Sequence, residues 1–125
     1  PTLLELKARK IAELQAYDAS ESVNSFSIGN VSGWLNKSTR VGLMNSISIE
    51  RESGRSETTI WLGNTKLVLS IEKAIDMLQQ IELYALACYN TTQGHINAIN
   101  QLETKEEIEA YNFKTGYPGK LSFFG

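Results

Sequence analysis

The chain of 125 residues has little of what most catalytic and metal sites need, since it contains one cysteine and one histidine. A single cysteine, Cys88, excludes a disulfide within the chain and fits a reducing compartment. Neither Cys88 nor His95 has another cysteine or histidine at ligand spacing, so a structural metal site lacks its usual ligands. We therefore expect no metal and no other cofactor.

The chain also has no excess of positive charge and no long apolar runs. The formal net charge of −2 gives no attraction to a phosphate backbone, so we expect no nucleic-acid partner. Apolar runs such as LVL at 67–69 are far shorter than a membrane span, so we expect no membrane insertion. The glycines stand singly, without a phosphate-binding loop. The composition, with 42% hydrophobic and 21% charged residues, predicts one globular domain, 1–125.

The most regular pattern in the chain predicts a long helix from Ser70 to about Leu102. Its apolar or small residues recur at alternating spacings of four and three, which places them on one helical face. Such a helix is roughly 48 Å long, more than a domain of this size spans. Either it protrudes and meets a partner or it bends, with Gly94 as the natural place for a bend. The stripe consists of Ala74, Leu78, Ile81, Ala85, Cys88, Thr92, His95, Ile99 and Leu102, widened by Ile71, Ile75, Tyr89 and Ile96.

Two β-hairpins are predicted before this helix, because Gly29-Asn30 and Gly63-Asn64 each separate two short alternating segments. In the first hairpin one face carries Phe26, Ile28, Val31 and Leu35, and the other carries Ser25, Ser27, Ser32 and Trp34. In the second, Ile60, Leu62, Leu67 and Leu69 share one face, and Thr59, Trp61, Lys66 and Val68 share the other.

The two hairpins align without gaps, with Phe26 on Ile60 at an offset of 34 residues. We interpret this as two hairpin-plus-helix units, 23–53 and 57–102, which are too few for a solenoid and should pack on each other. Chance similarity between two generic hairpins is the alternative. The helix of the first unit, about 37–52, should follow an Asn36 cap and turn Val41, Met44 and Ile47 inward, with Leu43 alongside.

The ends of the chain complete the predicted fold. An N-terminal helix covers 3–17, with Leu4, Ile11 and Leu14 on one side. Residues 103–125 form a short helix behind a Thr104 capping box, and then a segment that either closes as an edge strand or lies as a tail. The fold class is α+β: two β-hairpin-plus-helix units after an N-terminal helix, one long C-terminal helix, and a small antiparallel sheet covered by helices.

No catalytic residues emerge, because the neighbouring carboxylates fit solvated helix faces. His95 lies on the apolar stripe, which favours a packed or helix-interface histidine over a ligand. The partner-interface candidates at the end of the long helix are His95, Ile96, Ile99 and Leu102. Trp34, Trp61 and Lys66 are the ligand-face candidates, because a tryptophan among hydroxyls can stack on a sugar ring or anchor an interface. The alternative is that Tyr111, Phe113, Tyr117 or Phe123 folds back over the tryptophans.

A further group of short segments runs over most of the chain from about residue 5. They are Trp34–Leu35, Thr39–Leu43, Thr59–Gly63, Tyr84–Cys88, His95–Ile96, Glu106–Ile108 and Gly116–Pro118. Together they resemble a phage-encoded family of unknown function found in tail-fibre and tail-associated proteins, often near the C-terminal end. The resemblance implies a virion protein assembled in the host bacterial cytoplasm and carries over no catalytic residue.

From this resemblance and the lack of a catalytic pattern we expect a non-enzymatic phage structural or tail-assembly module that acts through protein contacts. Its partners would be other phage structural proteins or further copies of itself. The alternative is a carbohydrate-binding host-attachment module that uses the exposed tryptophans.

Overall fold

A computed structural model describes residues 1–124 and confirms the predicted α+β class. An N-terminal helix is followed by two successions of hairpin and helix, a short helix and a final strand. The elements are α1 (Leu3–Asp18), β1 (Phe26–Ile28), β2 (Val31–Gly33), α2 (Lys37–Glu52), β3 (Glu57–Leu62), β4 (Thr65–Ser70), α3 (Ile71–Asn100), α4 (Lys105–Ala110) and β5 (Leu121–Phe123).

The helix ends lie where capping residues place them. The Asn36 side chain accepts from the backbone N–H of Thr39 at 2.9 Å and begins α2, as predicted. Gly54, with φ +87°, follows the last residues of α2 in the left-handed conformation that a glycine adopts without a Cβ clash. The Thr104 hydroxyl accepts from the N–H of Glu107 at 3.1 Å, which confirms Thr104 as the cap of α4. The Glu107 carboxylate accepts from that hydroxyl at 2.9 Å, and not from the backbone N–H of Thr104 as in a full capping box.

The strands form two small sheets instead of the single sheet predicted. β3 pairs antiparallel with β4 around Gly63-Asn64, with Trp61 opposite Lys66 and Thr59 opposite Val68. The other sheet has the order β2-β1-β5. The C-terminal segment is therefore an edge strand and not a loose tail, and it pairs parallel to β1 with Leu121 opposite Phe26.

The chain divides into two compact units, and the single domain expected from the sequence stays a prediction. The helical unit contains residues 1–24 and 85–119, and the hairpin unit contains residues 25–84 with the described residues from 120 onward. α3 is an unbroken helix of 30 residues that passes through Gly94 and supplies residues to both units. Residues of the apolar stripe are therefore buried in each of the two units.

The core of the hairpin unit joins both hairpins, α2 and the first half of α3. Residues of both hairpins and both helices share this one core, while α3 residues from 85 onward belong to the helical unit. The repeat relationship between the two hairpin-plus-helix segments stays a prediction. Gly33 is required at one crossing, since a Cβ there would lie 2.7 Å from Cδ1 of Leu62. The buried members are Phe26, Leu35, Ile47, Ile60, Leu62, Ile71, Ala74, Met77, Leu78, Ile81 and Phe123.

The core of the helical unit is smaller and is built on α1 and the second half of α3. Leu14, Ile99 and Phe113 are its buried members. The Lys7 ammonium donates to the carbonyl of Asn100 at 2.9 Å, so a positive charge satisfies the C-terminal end of α3. The Lys10 ammonium donates to the carbonyl of Glu109 at 3.3 Å and ties α1 to α4.

Three residues predicted to face inward are exposed. Val41 is 58% exposed, Leu4 is 78% exposed and Tyr89 is 59% exposed. In α2 the reason is that Arg40, at 6% exposure, takes the inward position that the pattern assigns to Val41. A periodic pattern determines which residues share a helix face. Packing against the adjacent elements determines how the helix is rotated about its own axis, and so which face is buried.

The fully buried position of Ile81, at 0% exposure, gives a test of the hairpin-unit core. We expect Ile81→Ala to lower the free energy of unfolding by about 2–5 kcal/mol, because it removes buried methyl groups and leaves a cavity. Val68→Ala, at a side chain that is 53% exposed, is the matched control and should change it by less than about 0.5 kcal/mol. Urea denaturation followed by circular dichroism measures both, and equal losses would contradict this core assignment.

Candidate functional site

Arg40 is the most heavily engaged polar side chain of the hairpin unit. Its Nε donates to Oε1 of Glu82 on α3, and its Nη1 donates to the carbonyl of Leu35 at 2.6 Å. Its Cζ lies 5.3 Å from the centre of the Trp34 ring, a cation–π distance. One guanidinium thus holds α3, the chain entering α2 and an aromatic ring together.

Trp34 is packed by this arrangement and does not form the predicted ligand face. Its ring centre lies 6.2 Å from that of Tyr84, edge-on, and also 6.2 Å from that of Phe26. Trp34 follows the last residue of β2, so the alternation of the strand no longer determines its direction. Its ring neighbours are Phe26, Tyr84 and the Arg40 guanidinium, and Phe123 lies one ring further away, 5.8 Å from Phe26.

Trp61 and Lys66 lie where the sequence predicts them, on the outer face of β3 and β4. Trp61 is 57% exposed and is paired across the hairpin with the exposed Lys66. Val68, 53% exposed, is paired with Thr59 on the same face. Because these side chains are cross-strand neighbours, they form one continuous surface, which we call the hairpin face (Thr59, Trp61, Lys66 and Val68).

A shallow polar pocket of about 330 Å³ adjoins the hairpin face. Within it the Thr58 hydroxyl donates to Oε1 of Glu50 at 2.6 Å, and the Arg55 guanidinium donates to Oε2 at 3.2 Å. The hydrogen bond from Thr58, and after it the bond and charge of Arg55, hold the pKa of Glu50 below its usual value. A carboxylate stabilised in its charged form is a poor proton donor. The pocket is lined by Glu50, Arg55, Glu57, Thr58, Thr59 and Val68.

An apolar groove of about 440 Å³ lies between α2 and α3 in the hairpin unit. The Arg40–Glu82 pair borders it, and the exposed Val41 stands on its rim. Met44 and Leu78 are apolar residues of its lining. The full lining is Arg40, Val41, Met44, Asn45, Ser48, Leu78 and Glu82.

His95 is fixed within the helical unit by both ring nitrogens. Its Nε2 lies 2.7 Å from the carbonyl of Thr115, and its Nδ1 lies 2.6 Å from the hydroxyl of Tyr111. Since a carbonyl only accepts, Nε2 carries a proton, and in the neutral ring Nδ1 accepts from Tyr111. The Tyr111 ring also packs edge-on against His95 at 5.6 Å. This geometry fits a packed histidine that anchors the segment after α4.

Thr92, one turn before His95, centres a second buried polar connection in the same unit. Its hydroxyl lies 2.7 Å from Oδ1 of Asp18 and 2.6 Å from the Tyr117 hydroxyl, so it donates to the carboxylate and accepts from the phenol. Burial raises the pKa of Tyr117 above its usual value. The helical period predicts Thr92 and His95 on one stripe, but no local spacing in the sequence reveals their distant partners.

The interface candidates at the end of α3 belong to the interior of the helical unit. Ile99 is 0% exposed and lies in the core with Leu14 and Phe113, so its assignment to a partner surface is wrong. Ile96 is partly buried against the same cluster, and Leu102 is half-buried. Side chains of α1 and of the segment that follows α4 pack against Ile96 and Ile99, and the pattern of one helix cannot show such contacts.

Within residues 1–124, no group of three or more histidine, cysteine, aspartate or glutamate side chains could hold a metal ion. Cys88 is buried, at 2% exposure, as a small apolar residue would be. None of the helices described here combines the length and the apolar character needed to cross a membrane.

Comparison with known proteins finds no matching family model, no matching curated protein and no matching solved structure. The resemblance to phage tail-associated proteins therefore stays a prediction from the sequence.

The Arg40 arrangement predicts that lysine is a poor substitute for this arginine. We expect Arg40→Lys to lower the free energy of unfolding by about 1–2 kcal/mol, because an ammonium cannot reach Glu82, Leu35 and the Trp34 face in the same geometry. The control is Arg51→Lys, whose pair with Glu72 spans 3.8 Å between exposed side chains and should contribute little. Urea denaturation compares the two variants, and an unchanged stability in Arg40→Lys would contradict the anchoring role.

The Thr58–Glu50 hydrogen bond predicts a pH effect. Because the folded-state pKa of Glu50 is lowered, its stabilising contribution is present above the unfolded pKa and is lost as pH falls through the folded pKa. Thr58→Val should raise the Glu50 pKa toward its usual value of 4.5 and reduce this contribution, because only Arg55 then lowers the pKa. Carboxyl-carbon NMR titration measures the pKa in both proteins. Glu106, exposed on α4 in the helical unit, serves as the internal reference, and a Glu50 pKa unmoved in the variant would refute the assignment.

Proposed function

We propose that this chain is a non-enzymatic bacteriophage structural or tail-assembly module that works through protein–protein contacts, in a virion assembled in the host bacterial cytoplasm. The viral context comes from the resemblance of the sequence alone. The contact role is supported above all by the hairpin face, which leaves a tryptophan and a valine more than half exposed.

The hairpin face has the composition of a contact surface. Tryptophan is enriched among residues that dominate binding energy, and Trp61 stands beside Val68 with Lys66 and Thr59 as polar neighbours. Covering large apolar side chains contributes roughly 25 cal/mol for each Å² removed from water. The paired strands already hold these side chains in place, so a partner loses little entropy in ordering them.

The side chains best suited to chemistry are committed to packing, which supports a non-enzymatic role. Both nitrogens of His95 have partners, Cys88 is buried, and the Glu50 carboxylate is held in its charged form. These side chains stabilise the segments of the chain that they contact.

A second candidate is a carbohydrate-binding host-attachment module. Trp61 favours it, because an exposed indole beside the Thr59 hydroxyl and the Lys66 ammonium suits a sugar ring. The packing of Trp34 removes the platform of two tryptophans that the sequence suggests, which leaves a single stacking residue.

Substitution on the hairpin face tests the contact role. Immobilised protein is incubated with disassembled particles of the phage that encodes it, and retained proteins are identified by mass spectrometry. We expect a virion protein to be captured by the parent chain and at least about tenfold less by Trp61→Ser, the loss typical of a binding hot spot. Leu83→Ser is the matched control, since Leu83 is 68% exposed but lies on α3. Equal capture by Trp61→Ser, or no capture by the parent chain, would reject the proposal.

Intrinsic fluorescence separates the second candidate from the first. Titration with a panel of glycans should leave the emission unchanged if the hairpin face binds protein. A saturable change that disappears in Trp61→Phe would establish the carbohydrate-binding alternative instead.

A further inference from the structure

The outward side of α2 carries a regular pattern of apolar and polar residues that lie outside the core. Val41 is 58% exposed and Ile49 is 54% exposed, and the exposed Asn45 lies midway between them. A spacing of four residues keeps all three on one side of the helix. We call this surface the α2 face (Val41, Asn45 and Ile49). It exists because Arg40 points inward and turns Val41 toward solvent.

The α2 face is complementary to itself when two copies lie antiparallel. With Asn45 opposite the same residue of a second copy, Val41 of each copy stands opposite Ile49 of the other. Two asparagine amides that face each other can both donate and accept. The same register places Gly42 opposite Ser48 of the other copy. The surface around Gly42 is open, because no atom lies within 4 Å of a Cβ built on this residue. Small residues at that level allow the two helices to approach closely.

Charges at the helix ends distinguish the antiparallel arrangement from the parallel one. Lys37 is the first residue of α2 and Glu52 is the last, and both are exposed. An antiparallel pair brings Lys37 of each copy beside Glu52 of the other, and it places that carboxylate near a helix N-terminus. A parallel pair would set lysine beside lysine and glutamate beside glutamate. Helix dipoles also favour the antiparallel direction.

The groove between α2 and α3 gives the pairing a place to bury apolar surface. Its rim includes Val41, Asn45 and Ser48, so a helix lying along the α2 face covers the mouth of the groove. The apolar side chains of Met44 and Leu78 in this groove are then removed from contact with water.

We infer that the α2 face associates with a second copy of this chain, forming a twofold dimer of antiparallel α2 helices centred on Asn45. Such a contact is isologous, because each copy presents the same surface to the other. The inference does not rest on the proposed phage role, since every residue that carries it lies on α2 or borders its groove.

Symmetric cross-linking tests the centre of the dimer. In a Cys88→Ala background, Asn45→Cys places one thiol on the twofold axis, and mild oxidation should produce a disulfide-linked dimer. Ser46→Cys is the control, since Ser46 is also exposed but lies about 100° around the helix. We expect at least about tenfold faster dimer formation at position 45. Equal rates at the two positions would overturn the proposal.

Charge reversal tests the direction of the helices. Sedimentation velocity over a range of protein concentrations measures the dissociation constant of the dimer. Lys37→Glu or Glu52→Lys alone should weaken association roughly five- to tenfold, because each dimer contains the pair twice, and the double variant should restore it. A double variant no stronger than either single variant would exclude the antiparallel register.

An apolar disruption tests the face itself. Val41→Glu should leave a folded monomer, which circular dichroism confirms, while Val68→Glu on the hairpin face should leave the dimer intact. A parent chain that stays monomeric at all concentrations would refute the inference, as would a Val41→Glu variant that still dimerises.

Discussion

One buried guanidinium governs the arrangement of the hairpin unit. Arg40 donates to Glu82 and to the carbonyl of Leu35, and it lies over the Trp34 ring. Removing a charge from water is costly unless hydrogen bonds replace the lost hydration, so the side chain tolerates few arrangements of its neighbours. The contacts therefore fix the rotation of α2, the packing of Trp34 and the exposure of Val41 together. Both the interior and one outer surface of this unit follow from that constraint.

The second organising feature is a helix that serves two cores. The first half of α3 packs Ala74, Leu78 and Ile81 in the hairpin unit, and the second half packs Ile99 in the helical unit. Members of the apolar stripe are thus buried in both units, although Tyr89 remains exposed. The hairpin face and the outward side of α2 are two further surfaces that remain exposed to other molecules.

These two surfaces differ in kind. The hairpin face is a two-stranded surface on which Trp61 and Val68 have Lys66 and Thr59 as polar neighbours. Such a surface suits a different protein or a sugar ring. The α2 face is periodic, with charges of opposite sign at its two ends, which suits a second copy of itself. The polar groups around His95 and Thr92 serve a third purpose, because they connect distant parts of the helical unit and keep the segment after α4 in place.

The sequence by itself determined the local structure. Caps at Asn36 and Thr104, glycine-asparagine turns and a sustained helical period specify the elements within a few residues, because these signals act between neighbours in the chain. The alternation of β3 and β4 likewise placed Trp61 and Lys66 outside correctly. Tertiary structure alone decided that Arg40 turns inward, that Trp34 is packed, that Ile99 is enclosed and that the last strand joins β1. Each of those outcomes depends on residues far away along the chain. A local pattern carries no information about which distant residue will pack against a given position.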